Sequence, residues 1–130
     1  MAYQTATGLK RIINAAHYSA AGFKATWAHE EAFRQEVILF LLAAPTAFFV
    51  GKSAVEIVLL VSSVIVILLV ELLNSAVEAA VDRIGFEHHE LSGRAKDIGS
   101  AAVMLSILGA AATWLIILIT DLIFIEMFNF

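Results

Sequence analysis

Residues 54–84 read AVEIVLLVSSVIVILLVELLNSAVEAAVDRI. From Ala54 to Val70 the single charge is Glu56, and the remainder has the composition of a helix dissolved in lipid. The stretch then closes on Glu71, Asn74, Glu78 and Asp82, where the helix should be leaving the membrane. A carboxylate in or near hydrocarbon is costly, so such residues face protein or water and mark a site of action. This stretch therefore predicts both a membrane-spanning helix and a functional face at one end of it.

The rest of the chain agrees on the solvent. Of 130 residues, 61% are hydrophobic and 15% are charged, against about 45–50% and about 25% in soluble domains. One proline and seven glycines leave little material for turns and favour long helices. Apolar and polar residues do not alternate at period two, which argues against a membrane barrel. The chain has no cysteine, which excludes disulfides and thiolate metal sites. Its N-terminal stretch lacks the continuous apolar core of a cleavable signal peptide.

Two further apolar stretches flank the first. Residues 30–50 contain Arg34 and Glu36 near their start, and the fully apolar part, VILFLLAAPTAFFV, has 14 residues. A crossing needs roughly 20, so this segment spans only with its polar first turn in the interface; Pro45 is a candidate kink. Residues 98–120 carry no charge at all, and the span is expected over about 96–121. Gly51-Lys52-Ser53 makes a tight hairpin between the first two spans, and the charged run DRIGFEHHELSGRAKD, 82–97, joins the last two. Residues 6–28 interleave Leu9, Ile12, Ile13, Phe23 and Trp27 with Lys10, Arg11, Asn14, His17 and Lys24, the pattern of an amphipathic helix lying on a membrane surface. The expectation is one all-α membrane domain over 1–130, with three transmembrane helices and one surface helix. Seven of the eight basic residues lie before or at the start of the first span or in the second loop, and only Lys52 lies in the first loop. That asymmetry predicts a cytoplasmic N-terminus and second loop.

On a helix, Glu71 and Glu78 fall within about 20° of one another and about 10 Å apart along the axis. Asn74, Ser75 and Asp82 share their side, and Leu72, Val77 and Ala80 are expected opposite. The separation suits two jobs at two depths better than joint binding of one metal. A second cluster, HEEAFRQE (29–36), opens the first span at the same membrane face, where Glu30 can pair with Arg34 and Glu31 with Gln35 four residues on. Carboxylates on two helices beside Arg94, Lys96 and Asp97 suit magnesium and phosphate, because magnesium takes a few carboxylate oxygens and fills its shell with water and phosphate. A carboxylate at the interface can also take the proton of a lipid hydroxyl.

Other motifs fail. Gly51-Lys52-Ser53 resembles the end of a P-loop, but the glycine required five residues earlier is Thr46. His29-Glu30 is not followed by histidine at zinc-protease spacing, and His88-His89 are adjacent residues of a polar loop. Nothing points to nucleic acid.

The strings EAFRQE (31–36), VELLNSAVEAAVDRIG (70–85) and HELSGRAKDIGSAAV (89–103) together resemble the bacterial integral-membrane diacylglycerol kinase family. The likeness extends over nearly the whole chain, and ELLNSAVE and HELSGRAKD are its most specific parts. The resemblance implies a homotrimeric helical bundle in the bacterial inner membrane, with active sites shared between subunits. It implies transfer of the ATP γ-phosphate to diacylglycerol, with Mg2+ required, giving phosphatidic acid. It assigns Glu71 as general base with Asn74 close by, and Lys96 and Asp97 to the phosphate site. It assigns Glu30 and Glu78 to the metal and the nucleotide, with Arg11, Tyr18, Ser19, Glu87 and His89 toward ATP. Arg34, Gln35, Glu36 and Ser100 would meet the lipid substrate.

Two departures stand out: Ala20 and Ala21 replace bulkier residues common in that family, and the tail DLIFIEMFNF runs past its usual end, where it is expected along the outer interface. Ala102, Ser106 and Ala110 form a small-residue strip suited to helix packing. Two alternatives stay open. A related branch phosphorylates undecaprenol, whose hydroxyl the same face would serve. A small oligomeric transporter or channel would need polar residues through the depth of a span, and Ile57 to Val70 offers only Ser62 and Ser63.

Overall fold

The computed structural model describes residues 7–128. They form four helices in the order α1 (Gly8–His29), α2 (Glu31–Val50), α3 (Ala54–Ile84) and α4 (Glu90–Phe128), with no strand among the described residues. α2, α3 and α4 are each long and apolar enough to cross a bilayer, the architecture of a multi-pass membrane protein. α3 is the middle element and packs on both α2 and α4, while α1 leans on α2. Position 6, the first of the expected surface helix, lies outside the described residues.

Each span turns one narrow face inward. On α3 the buried residues are Leu60, Val64, Ile67 and Glu71; on α2 they are Phe33, Glu36 and Ala47. These recur at the three- and four-residue steps of a single helical stripe. On α4 the inward stripe is Gly99, Val103, Ser106 and Ala110, of which Ala110 is fully buried. Ala102, expected in that strip, is exposed, because it lies about 70° round the helix from the centre of the stripe. The large side chains left outside, such as Leu41, Leu59, Leu73, Leu105 and Ile116, are where lipid or other chains belong in a membrane helix.

The links are tight and explain where helices stop. α1 ends at His29 because Glu30 is extended, although its N–H still donates to the Thr26 carbonyl at 2.8 Å. At the first loop a Cβ on Gly51 would meet the Ile57 side chain at 2.6 Å, so the α2–α3 hairpin closes only around glycine. Ser53 then caps α3: its Oγ accepts from the Glu56 N–H at 3.2 Å, while the Glu56 carboxylate accepts from the Lys52 N–H at 2.7 Å.

α4 departs from expectation at both ends. It begins at Glu90, where the His89 Nδ1 accepts from the Leu91 N–H at 3.1 Å. It then runs unbroken to Phe128, so residues 121–128 continue the helix; 129 and 130 lie outside the described residues. Lys52 makes this extension tolerable. Its ammonium sits 3.1 Å from the Asp121 carboxylate and 3.2 Å from the Asp121 carbonyl, neutralising the charge that the sequence reading took as the end of the span. α2 also continues through Pro45 without a break.

Candidate active site

The inward stripe of α3 does not end where its apolar residues end. Leu60, Val64 and Ile67 are followed, at the same helical phase, by Glu71, Asn74 and Glu78. Glu71 is 4% exposed, as buried as the core leucines and isoleucines. Depth follows from helix rise. Glu56 marks the first-loop end, and Glu71 and Glu78 lie about 22 and about 33 Å along the axis from it. These lengths bracket the roughly 30 Å of a hydrocarbon core.

Other acids converge on this place. The negative charges of Glu30 and Glu78 both act on Glu71, and that of Glu71 acts on Glu36. Glu36 is 9% exposed and its Oε2 has no hydrogen-bond partner among the described residues. Glu36, which the resemblance gives to the lipid substrate at the entry of the first span, is turned inward beside Glu71. Its phase relative to Phe33 and Ala47 was the available signal. Asn74 holds Glu78 by an Nδ2–H···Oε1 bond of 3.2 Å, and its own Oδ1 is buried without a partner.

Glu30 stands at the corner between α1 and α2 and is half-buried. Its expected side-chain pair with Arg34 is not made. The Arg34 guanidinium turns back to the last carbonyls of α1, donating to Trp27 O at 2.7 Å and Ala28 O at 3.5 Å, because α1 stops there and leaves those carbonyls unsatisfied. Glu31 and Gln35 do pair, at 3.3 Å. Between α1 and α3 lies a cavity of about 550 Å³, bordered by Ser19, Phe23, Thr26 and Glu30 on one side and Leu72 and Ser75 on the other. Leu72 therefore borders this cavity opposite residues of α1. The Ser75 Oγ is buried here without a partner, whereas the Ser19 hydroxyl is committed to the Ala15 carbonyl at 2.9 Å.

The second loop forms a separate, smaller cavity of about 210 Å³ that brings Glu87 and His89 together with Asp82 and Lys96. Lys96 reaches across from α4 to Asp82 at 2.6 Å. Among the described residues this and Lys52–Asp121 are the ion pairs, so neither Glu71 nor Glu36 is paired with a cation. Asp97, Ser100 and Gln35 are exposed near the same end, and Arg11 and Tyr18 are exposed on α1. The chain thus gathers Glu30, Glu36, Glu71, Asn74 and Glu78 around the α2–α3 packing and Glu87, His89 and Lys96 around the second-loop cavity.

Among the described residues no three histidines or carboxylates are arranged to hold a metal by themselves. The fit of this acidic cluster to Mg2+ rests on its donors. They are hard oxygens with a net negative field, and magnesium completes its shell with water and phosphate.

The fold defines a small helical multi-pass membrane protein with buried carboxyl groups toward one end of its packed spans. The family described as prokaryotic diacylglycerol kinase matches residues 17–118. A diacylglycerol kinase of Escherichia coli (strain K12) is 56% identical over 112 residues, covering 86% of this chain and 92% of the relative. One from Haemophilus influenzae is 49% identical over 112 residues, 86% and 94% of the two chains. One from Helicobacter pylori (strain J99) is 40% identical over 109 residues, 84% and 85%. The chain belongs to the prokaryotic diacylglycerol kinase family.

Proposed function

We propose that the chain is a lipid kinase that transfers the γ-phosphate of ATP to the hydroxyl of diacylglycerol, giving phosphatidic acid and ADP. The observation that carries this reading is the burial of Glu71, 4% exposed, within a cluster of carboxylates toward one end of the spans. Glu71 takes the hydroxyl proton as the oxygen attacks the γ-phosphorus, and the bond from that phosphorus to the β,γ-bridging oxygen breaks to release ADP. Asn74 and Glu78, one level shallower, sit toward the phosphates. Glu30 and Glu78 would hold Mg2+, which supplies charge neutralisation on the phosphate oxygens when bound. Glu87, His89 and Lys96, grouped around the second-loop cavity, are the nucleotide side, with Asp97 beside them; Arg11, Tyr18 and Ser19 approach it from α1. Gln35, Ser100 and Arg34 border the path of the lipid. Such a site works by positioning and charge neutralisation, as phosphoryl transfer generally does.

In this reading the working unit is a homotrimer whose sites are shared between subunits. It sits in the bacterial inner membrane with the N-terminus and second loop cytoplasmic. The exposed apolar side chains of α1, Leu9, Ile12, Phe23 and Trp27, support its place on the membrane surface, and those of the spans support contact with lipid or neighbouring chains. The test is phosphate transfer from labelled ATP in mixed micelles, with diacylglycerol and undecaprenol compared, with and without Mg2+. Magnesium-dependent labelling of diacylglycerol is expected. Faster labelling of undecaprenol would move the chain to a polyprenol substrate, and labelling of neither by folded protein would overturn the reading.

A further inference from the structure

Gly99 lies on α4 and has no side chain of its own, yet it touches the residue that holds the Glu78 carboxylate. A Cβ at Gly99 would overlap the Asn74 Oδ1, and the Asn74 Cγ would lie 3.2 Å from it. The hydrogen that occupies the Cβ position in glycine therefore points at this oxygen. The Oδ1 is buried and has no conventional partner, while the Nδ2 of the same amide donates to the Glu78 Oε1 at 3.2 Å. The two ends of the amide are thus fixed by different helices: Glu78 on its own α3, and the bare backbone of α4.

We infer that Gly99 is a positioning residue, acting through Asn74 to aim the Glu78 carboxylate. The inference rests on the lipid-kinase reading for its consequence in catalysis, but its geometry does not. With any side chain at 99, the Asn74 amide has to leave its position, since it is the group that would be struck. Glu78 then loses its only side-chain hydrogen bond given by the structure. A weak C–H···O contact from Gly99 to the Oδ1 also gives the buried oxygen its one favourable neighbour. The reason for glycine here is space, not helix formation, because alanine is the better helix former. Alanine at 99 also fits against a shortened residue 74, since the Asn74 Cβ would stand 3.9 Å away, an ordinary contact.

Four proteins decide the matter: wild type, Gly99→Ala, Asn74→Ala and the double variant, each 15N-labelled in detergent micelles and assayed for transfer to diacylglycerol. The side-chain amide resonances of Asn74 are identified by their absence in Asn74→Ala. In Gly99→Ala these resonances are expected to move toward the positions of a solvent-exposed amide. kcat is expected to fall by about 10- to 100-fold, the weight of one hydrogen bond to a charged group, with KM values within about threefold. In the double variant Gly99→Ala is expected to cost nothing beyond Asn74→Ala, because the group it strikes is gone. A general packing role predicts losses that multiply. If Gly99→Ala alone does not fold and the double variant does, the overlap with Asn74 is again the cause. Unmoved Asn74 resonances, multiplying losses, or failure of the double variant to fold would each overturn the inference. If wild type labels no lipid, the kinase reading falls, and the resonances still decide what Gly99 does.

Discussion

Replacing Glu71 with glutamine keeps the length and volume of the side chain and removes its charge, so it separates what that charge does for chemistry from what it does to the fold. The site is crowded with like charge: Glu30 and Glu78 act on Glu71, and Glu71 acts on Glu36. Seven residues of helix put Glu78 about 10 Å away. At an effective dielectric near 20, one like charge at that distance costs about 1.6 kcal/mol. Glu30 and Glu36 add to this, and burial of an ionised carboxylate adds more. Under conditions where Glu71 is ionised, Glu71→Gln is therefore expected to raise thermal stability in micelles while abolishing most activity. A general base contributes about 10²- to 10⁴-fold, and a loss of that order in kcat is the expected result. Heat inactivation of the protein and initial rates of phosphatidic acid formation measure the two effects on one preparation. Turnover within a factor of a few of wild type would remove Glu71 from the base role. A less stable variant would refute the view that its charge is held against the preference of the fold.

Three further outcomes follow from the geometry. Lys52→Ala and Asp121→Ala should each cost about 0.5–1 kcal/mol at most, because the lysine is 44% exposed and such pairs are screened; activity should persist, and additive losses in the double variant would deny the pair. Ile67→Ala, at a position 1% exposed, should cost about 2–5 kcal/mol by leaving a cavity between the spans, read as a lower melting point; a loss under about 1 kcal/mol would put Ile67 outside the core. Chelation of divalent cations should stop transfer and Mg2+ should restore it, and activity that survives exhaustive chelation would argue against the roles given to Glu30 and Glu78.

What the sequence reveals here and what it conceals have one physical origin. Hydropathy depends only on composition along the chain, so the three apolar helices and their tight first loop were readable directly. Which side of a helix faces inward depends on its neighbours, and there the reading failed in places. Glu36 looked like one of several acids opening a span, although its phase with Phe33 and Ala47 places it on the packed stripe. Arg34 looked like a partner for Glu30 until α1 was seen to end at His29 and to leave carbonyls open. Asp121 looked like the end of a span because its partner, Lys52, is 69 positions away. Gly99 lay inside the HELSGRAKDIGSAAV string with no sign that Asn74 would be pressed against it. The S-x-x-E run from Ser53 to Glu56 was a local signal, and it was legible but unread.

The acidic face answers a constraint that a soluble kinase does not meet. A soluble enzyme can build its site on loops and bring them to the substrate. Here the hydroxyl is fixed in depth by the bilayer, so the site must be fixed in depth as well. The structure does this by placing Glu71, Asn74 and Glu78 on the same stripe as Leu60, Val64 and Ile67. Contacts that hold α3 between α2 and α4 thereby hold the carboxylates. The capped first turn, with Ser53, Glu56 and Lys52 bonded together, sets the origin from which that depth is counted. The same arrangement leaves buried carboxyl groups with no cation beside them, a costly way to end a packed stripe. An apolar residue at 71 would pack as well and remove that cost, which is the physical ground for the role proposed for Glu71.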